Sequence, residues 1–215
     1  NQSGDNGYRP ALNRRFNSIS GSLGATYHVS EALLFRSNLA TAYRTPNLAE
    51  LTSNGPHELR YEIGNASLTP ERSFEADASL HYHIANLSID AAIFHNHVND
   101  YIFIAPTGNN TADGLPIYLY RQADARLYGG EAGIHFHPQA IQWLHLESSV
   151  AMVRGKQKTG ENLPFIPATK WNVEARGEIK DFLFFEDAYL ALQMHTAFDQ
   201  RKPAPDETAT TGYTL

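Results

Sequence analysis

From residue 71 to residue 84 apolar and polar side chains alternate with a period of two. Phe74, Ala76, Ala78, Leu80, Tyr82 and Ile84 fall on one parity, and Ser73, Glu75, Asp77, Ser79, His81 and His83 on the other. Successive side chains of a strand point to opposite faces, so this run predicts a strand with one apolar and one polar face; a helix would space its apolar residues by three and four. The same period runs through 33–44, where Leu33, Phe35, Leu39 and Tyr43 oppose Arg36, Asn38 and Arg44. It returns at 143–154, with Leu144, Leu146, Val150 and Met152 against His145, Glu147 and Ser149, and at 170–179, with Trp171, Val173, Ala175 and Ile179 against Lys170, Asn172, Glu174, Arg176 and Glu178. At 188–198 Leu190, Leu192, Met194 and Phe198 oppose Gln193 and His195. Further strands are expected at 16–29, 87–104 and 117–137, and 212–215 opens another, giving about eight strands and the start of a ninth.

The connections alternate as well. Short ones fall near Ser30, Asn86, Gln139 and Asp181; longer ones span 45–70, 105–116, 159–167 and 199–211. Short turns on one rim and long loops on the other are what an antiparallel up-and-down transmembrane β-barrel requires, with apolar side chains toward lipid and polar ones toward the lumen. A soluble β-sandwich also alternates. The wealth of Glu, Arg and His at mid-strand positions favours the membrane reading. So few strands leave two edges, and an open edge in lipid strands backbone groups at several kcal/mol each. The expected fold is therefore all-β and a partial barrel, completed by chain outside these 215 residues.

The densest pattern lies between two of these strands. Residues 43–51 read Tyr-Arg-Thr-Pro-Asn-Leu-Ala-Glu-Leu, and residues 64–73 read Gly-Asn-Ala-Ser-Leu-Thr-Pro-Glu-Arg-Ser. In this order the two runs resemble the signature of TonB-dependent outer-membrane receptors. That resemblance implies a C-terminal barrel of about 22 strands, filled by an N-terminal plug that engages the TonB complex. Residues 1–215 then form an internal part of the barrel domain, with the plug and the final strands outside this chain. The run Asn54-Gly55-Pro56-His57, followed by Tyr61 and Glu62, and the later run 125–131 are similar to a branch of the family associated with zinc and other heavy metals.

Composition narrows the partners. The chain carries 17 basic and 23 acidic residues, a formal charge of -6, without a Lys/Arg-rich run that would neutralise phosphates, so no nucleic-acid partner is expected. Cysteine is absent, which removes disulfides and thiolate ligands, and only two methionines weaken a case for soft Cu(I). No segment approaches the ~20 apolar residues of a spanning helix, and Asn1 opens without a leader-like charged and apolar region.

Six of the ten histidines form His-x-His pairs: His81/His83, His95/His97 and His135/His137. A two-residue turn at Ala85 and Asn86 sets His83 opposite Ser88 and His81 opposite Asp90, giving a polar lumen wall of Glu75, Asp77, His81, His83 and Asp90; histidine–aspartate hydrogen bonding is favoured there over a metal site. The same register puts His95 and His97 opposite Ala76 and Phe74 on the apolar face. His135 and His137 share a face with Glu131 beside a short turn, where an interfacial role is expected. Tyr118 and Tyr120 share a parity with Gln122 and Asp124 and are expected to face inward, while aromatics near strand ends, among them Tyr27, Trp143, Trp171 and Tyr189, suit interfacial girdles.

The ligand-binding loop is expected at His57, Glu58, Tyr61 and Glu62, with His57, Glu62, His95 and His97 as candidate metal ligands. Folding of the loop over the plug is the alternative role for this run. No nucleophile context, phosphate loop or His-Glu-x-x-His run points to an enzyme. The resemblance implies a receptor in the outer membrane of a Gram-negative bacterium, in contact with outer-membrane lipid. It would capture a scarce substrate at its outer loops and import it to the periplasm with energy from the TonB complex. No cofactor is required beyond a possible bound zinc or other divalent ion. A metal ion, zinc first, is the leading substrate; an iron-siderophore, haem or other chelate is the alternative, and a soluble carbohydrate-binding or adhesin module the alternative of another class.

Overall fold

The computed structural model describes residues 13–182 and 184–215. Its strands are β1 (Gly21–His28), β2 (Leu33–Arg44), β3 (Asn54–His57), β4 (Arg60–Ile63), β5 (Glu71–Ile84), β6 (Leu87–Asn110), β7 (Pro116–Phe136), β8 (Leu144–Gln157), β9 (Lys170–Phe182), β10 (Phe185–Ala197) and β11 (Tyr213–Thr214), with one short helix, α1 (Leu48–Thr52). They form one sheet in the order β1-β2-β5-β6-β7-β8-β9-β10-β11, antiparallel throughout this path, with β3 and β4 as a side hairpin. The sheet does not close: β1 and β11 are its edges among the described residues.

The wall is a single layer. Ile93 is 66% exposed and Leu192 71%, and Phe74, Leu80, Val150 and Met152 are exposed on the same face. Polar groups on the other face pair across strands: Asn38 donates to Asp77 at 3.0 Å and Asn96 to Glu75 at 2.8 Å. A soluble sandwich would have covered the apolar face with a second sheet. Buried apolar residues instead gather at the long-loop rim, at Leu51, Leu68, Ile102, Ile104 and Leu163. Tyr27, Trp143 and Tyr189 stand exposed near the short turns, as an interfacial girdle requires.

The 45–70 segment is folded, not merely polar loop. Asn47 caps α1 by accepting from Glu50 N at 2.8 Å, and the Glu50 carboxylate returns to Asn47 N at 2.8 Å, a reciprocal capping box. Arg44 then bridges two carboxylates. Its Nη1 lies 2.8 Å from Glu50, and its Nη2 and Nε donate to Glu71 at 2.6 and 2.8 Å. Glu50 and Glu71 are buried at 8% exposure each, so both depend on that guanidinium. Glu71 also accepts from Ile102 N at 2.7 Å, which ties the bridge to β6. The second signature run closes on the first: Gly64 N donates to Ser53 O and Asn65 N to Glu50 O, both at 2.7 Å. A Cβ on Gly64 would sit 2.5 Å from Thr52 N, so glycine is required by the close approach. Leu51 and Leu68 pack with Ile102.

Two expectations from the sequence are corrected. The connection expected at 105–116 shrinks to 111–115, because β6 and β7 remain paired through two register shifts to Asn110↔Pro116. The break is a bulge between Val98 and Tyr101, with Asp100 at φ 58°. The first strand starts at Gly21 rather than at residue 16.

Replacing Arg44 by Ala leaves two buried carboxylates without their cation. Because Arg44 itself is partly exposed, the expected local destabilisation is about 2 kcal/mol, or roughly 30-fold faster amide exchange across 47–69 in the complete protein. Exchange unchanged in that segment would show that the bridge does not hold the loop.

Candidate functional site

A tight turn at Glu58 and Leu59, with Glu58 at φ 52°, folds β3 onto β4 so that His57 pairs with Arg60 and Gly55 with Glu62. β4 then lies parallel to β7, with Glu62 beside Tyr118. That edge of β7 is free because β8 pairs only with residues from Ala125 onward. The loop that leaves β2 thus reaches past β6 to the far side of β7.

Glu62 is the centre of the resulting cluster, at 5% exposure. Its Oε1 accepts from Arg60 Nε at 2.7 Å, and Tyr120 donates its hydroxyl to Oε2 at 3.0 Å. His57 Nδ1 lies 3.5 Å from Oε1 on a side chain that is largely exposed. The Arg60 guanidinium sits 5.3 Å above the Tyr118 ring, and the Tyr61 hydroxyl donates to Asn54 at 3.3 Å. Tyr120 lies beyond the bulge, above the apolar band, and its phenol is pushed up to about 12, first by burial and then by the hydrogen bond to Glu62 and its negative charge.

His57, Glu62, Tyr61 and the turn residue Glu58 therefore share one hairpin. The carboxylate is already satisfied by Arg60 and Tyr120, so a cation entering beside His57 must displace Arg60 from Oε1. Tyr118 and Tyr120, expected to face inward, instead share the β7 parity of Tyr128 and Gly130 and turn toward this hairpin and its support; Tyr120 packs on Leu51, Leu68 and Ile102.

His95 and His97 do not join the set. They pair with Ala76 and Phe74 on the lipid-facing parity of β6, where His95 stacks on Tyr128 at 6.4 Å and His97 Nε2 contacts Asn99 at 3.2 Å. Among the described residues no three His, Asp or Glu side chains converge on an arrangement that would hold a metal ion, so the four candidate ligands do not form one site.

In the polar wall, His81 Nδ1 meets Asp90 and His83 Nδ1 meets Ser88, both at 2.6 Å, in the register set by the two-residue turn. Its polar pairing extends further than the sequence indicates: His195 Nδ1 meets Asn172 at 2.9 Å and Gln193 donates to Glu174 at 2.6 Å. At the short-turn rim His137 and His135 stack on His145 at 4.3 and 5.7 Å, with Glu178 3.5 Å from His145. Reading by His-x-His pairs misses His145, because it is brought to His137 across the 137–143 connection rather than along a strand.

An antiparallel wall with one apolar side, one polar side and a folded loop on its long-loop rim is the architecture of a transmembrane β-barrel wall. The profile of the family "TonB dependent receptor-like, beta-barrel" matches residues 1–215, and the chain belongs to that family. Its members are outer-membrane proteins of Gram-negative bacteria that work with TonB, and they are transporters rather than enzymes. Among solved structures the fold is similar to the copper transporter OprC (TM-score 0.77, 21% identity, 91% of this chain and 30% of that one). It is also similar to the siderophore receptor PirA of Acinetobacter baumannii (TM-score 0.65, 17% identity, 91% and 33%). The FrpB iron transporter of Neisseria meningitidis matches at TM-score 0.62 and 11% identity, over 92% and 31%. The chain thus spans about a third of the length of these receptors.

Replacing Glu62 by Gln removes a charge but not the burial of Tyr120. Phenol absorbance, read as the difference between each protein and its Tyr120→Phe partner, should show the Tyr120 midpoint falling below about 12 yet staying above the ordinary phenol value. An unmoved midpoint would remove Glu62 from the site's electrostatics.

Proposed function

We propose that this chain is the middle of the barrel wall of a TonB-dependent importer whose outward 45–70 loop captures a scarce metal ion, zinc first. The plug and the remaining strands belong to the rest of the receptor, and the long-loop rim faces the outside. The observation that carries the reading is the β3–β4 hairpin, which presents an exposed His57 imidazole 3.5 Å from the buried Glu62 carboxylate. Nitrogen and carboxylate oxygen suit a borderline ion such as Zn²⁺, and the absence of cysteine leaves no thiolate to select a softer one. A metal transporter among the structural neighbours supports the same class of cargo.

Arrival of the ion is an exchange. Zn²⁺ takes the Glu62 oxygen that Arg60 holds, and Arg60, already above the Tyr118 ring, keeps a cation–π partner when released. Capture would then loosen the hairpin from β7 and open the way to the polar wall below. The second reading, an anionic iron chelate, rests on the same Arg60 and on Tyr118: a guanidinium over an aromatic face suits a charged, flat ligand.

Radioactive zinc uptake by zinc-starved cells distinguishes them. The complete receptor should raise uptake only with a working TonB system, and His57→Ala/Glu62→Ala should lower uptake at limiting zinc at least tenfold while the barrel still assembles. Zinc uptake that ignores the receptor, or is unaffected by the double substitution, would reject the zinc site and favour the chelate.

A further inference from the structure

Seven of the ten histidines collect at one end of the polar face. Cross-strand register defines rows across the sheet, and one of them runs His28–Leu34–His81–Asp90–Gly133–Ser149–Asn172–His195, from β1 to β10. The next row, about 7 Å closer to the short turns, is His83–Ser88–His135–Glu147–Glu174–Gln193. His137 and His145 stand beyond it, stacked at 4.3 Å beside the 137–143 connection. The three other histidines lie elsewhere, His57 on the loop and His95 and His97 on the apolar parity. The result is a belt of imidazoles on the lumen side of the rim whose short turns face the periplasm.

Two arrangements in this belt offer ring nitrogens to a ligand. His81 Nδ1 lies 2.6 Å from Asp90, and an ionised carboxylate only accepts, so the neutral ring keeps its proton on Nδ1 and its lone pair on Nε2. Ser88 Oγ, which can also accept, lies 2.6 Å from His83 Nδ1. The two rings stand 6.1 Å apart and 7° from parallel, each with Nε2 unbonded among the described residues. A histidine that ligates a metal through one nitrogen gives its other N–H to just such a partner, so the bond to Asp90 orients a ligand rather than replacing one. On β7 and β8, His135 Nε2 is buried without a hydrogen-bond partner and lies 4.0 Å from Glu147 Oε1. That gap is too long for a hydrogen bond and matches a zinc ion placed between them, whose bonds to imidazole and carboxylate together span about 4.0–4.3 Å. Gly133 carries no side chain there, and a cavity of about 270 Å³ opens between Asp90, His135, Glu147, Glu174 and His195. Arg176, the cation beside His145, is drawn to Glu178 and Glu174 at 3.2 and 3.9 Å, which leaves Asp90 and Glu147 to the imidazoles.

We propose that this belt is a release site for the imported divalent ion, which dwells on the His81 and His83 pair and between His135 and Glu147 before it leaves for the periplasm. The inference rests on the metal-import reading of the loop and names a second place on the same wall where the ion binds. Among the described residues no three of these groups converge, and the His81 and His83 rings must lean together to share one ion, so each station is open. Weak, repeated binding is what passage needs, because an ion held in a closed four-ligand site does not move on. An anionic chelate, with its metal already enclosed, is repelled by the same carboxylates.

The test uses the complete receptor in neutral detergent, where the short-turn rim meets solvent, with radioactive Zn²⁺ alone as the probe and equilibrium dialysis as the readout. Every protein carries His57→Ala/Glu62→Ala, so that the loop contributes no binding. This background should still bind zinc, and adding His81→Gln/His83→Gln/His135→Gln should weaken that binding roughly tenfold or more while the barrel keeps its heat-dependent shift in gel mobility. If the triple variant fails to assemble, His83→Gln alone, at an exposed position, should weaken it in the same direction. With the loop intact in zinc-starved cells, the three histidine substitutions should lower the maximal uptake rate per assembled receptor and leave the half-saturating zinc concentration unchanged. Zinc binding that is absent from the loop-substituted background, or that survives loss of the three histidines, would overturn the proposal. A wild-type receptor that does not raise zinc uptake would instead reject the metal-import reading, and the dialysis result would then judge the belt by itself.

Discussion

Arg44 lies at the point where wall and loop become one structure. It sits at the end of β2, opposite Glu71 at the start of β5, and between those strands the chain makes its longest excursion. By holding Glu71 on one side and Glu50 on the other, it fixes α1 against the wall, and Glu71 extends the tie to the backbone of Ile102 in β6. Two carboxylates at 8% exposure cannot be left charged without that cation. The loop's own hydrogen bonds, from Gly64 and Asn65 back to Ser53 and Glu50, then place the β3–β4 hairpin where β7 has an edge to spare.

Everything below that rim obeys a different constraint. The wall has no second layer, so each strand must satisfy two solvents at once: lipid on the side of Leu80, Ile93 and Leu192, water on the side of Asp77, Asp90 and Asn172. Backbone groups are spent in the ladders, and polar side chains on the inner side spend theirs on one another, as His81 does on Asp90. The loop cluster around Glu62 lies where these two regimes meet, above the apolar band.

What could be read from the sequence follows from period two. Strands β2 and β5 have the bounds that alternation assigns, and the turn at Ala85 and Asn86 fixes the partners of His81, His83, His95 and His97. The far end of β6 could not be read, because beyond Val98 the strand runs through a bulge and through Thr, Gly and Asn that carry no alternation. Nor could the β3–β4 hairpin, whose four-residue strands include a proline and pair with each other and a distant edge. The signature residues were visible as a pattern, but their reason was spatial: Arg44 and Glu71 are 27 positions apart and meet only when β2 and β5 pair. His145, which joins His135 and His137, was hidden for the same reason, whereas Arg60 stands two positions from Glu62 on β4 and needed only the hairpin to be recognised.

The central claim is that this sheet is a wall between lipid and water, and single-cysteine labelling tests it most directly, since none of these 215 residues is a cysteine and any cysteine elsewhere in the receptor can be replaced by serine. Spin labels placed one at a time along β5, from residue 73 to residue 84 of the complete receptor in outer-membrane vesicles, report collision with oxygen, which concentrates in lipid, and with a water-soluble nickel chelate. The account predicts a period of two, with oxygen favoured at positions 74, 76, 78, 80 and 82 and the chelate at 73, 75, 77, 79 and 81. Oxygen and chelate accessibility that rise and fall together, or that follow a period near 3.6, would contradict it.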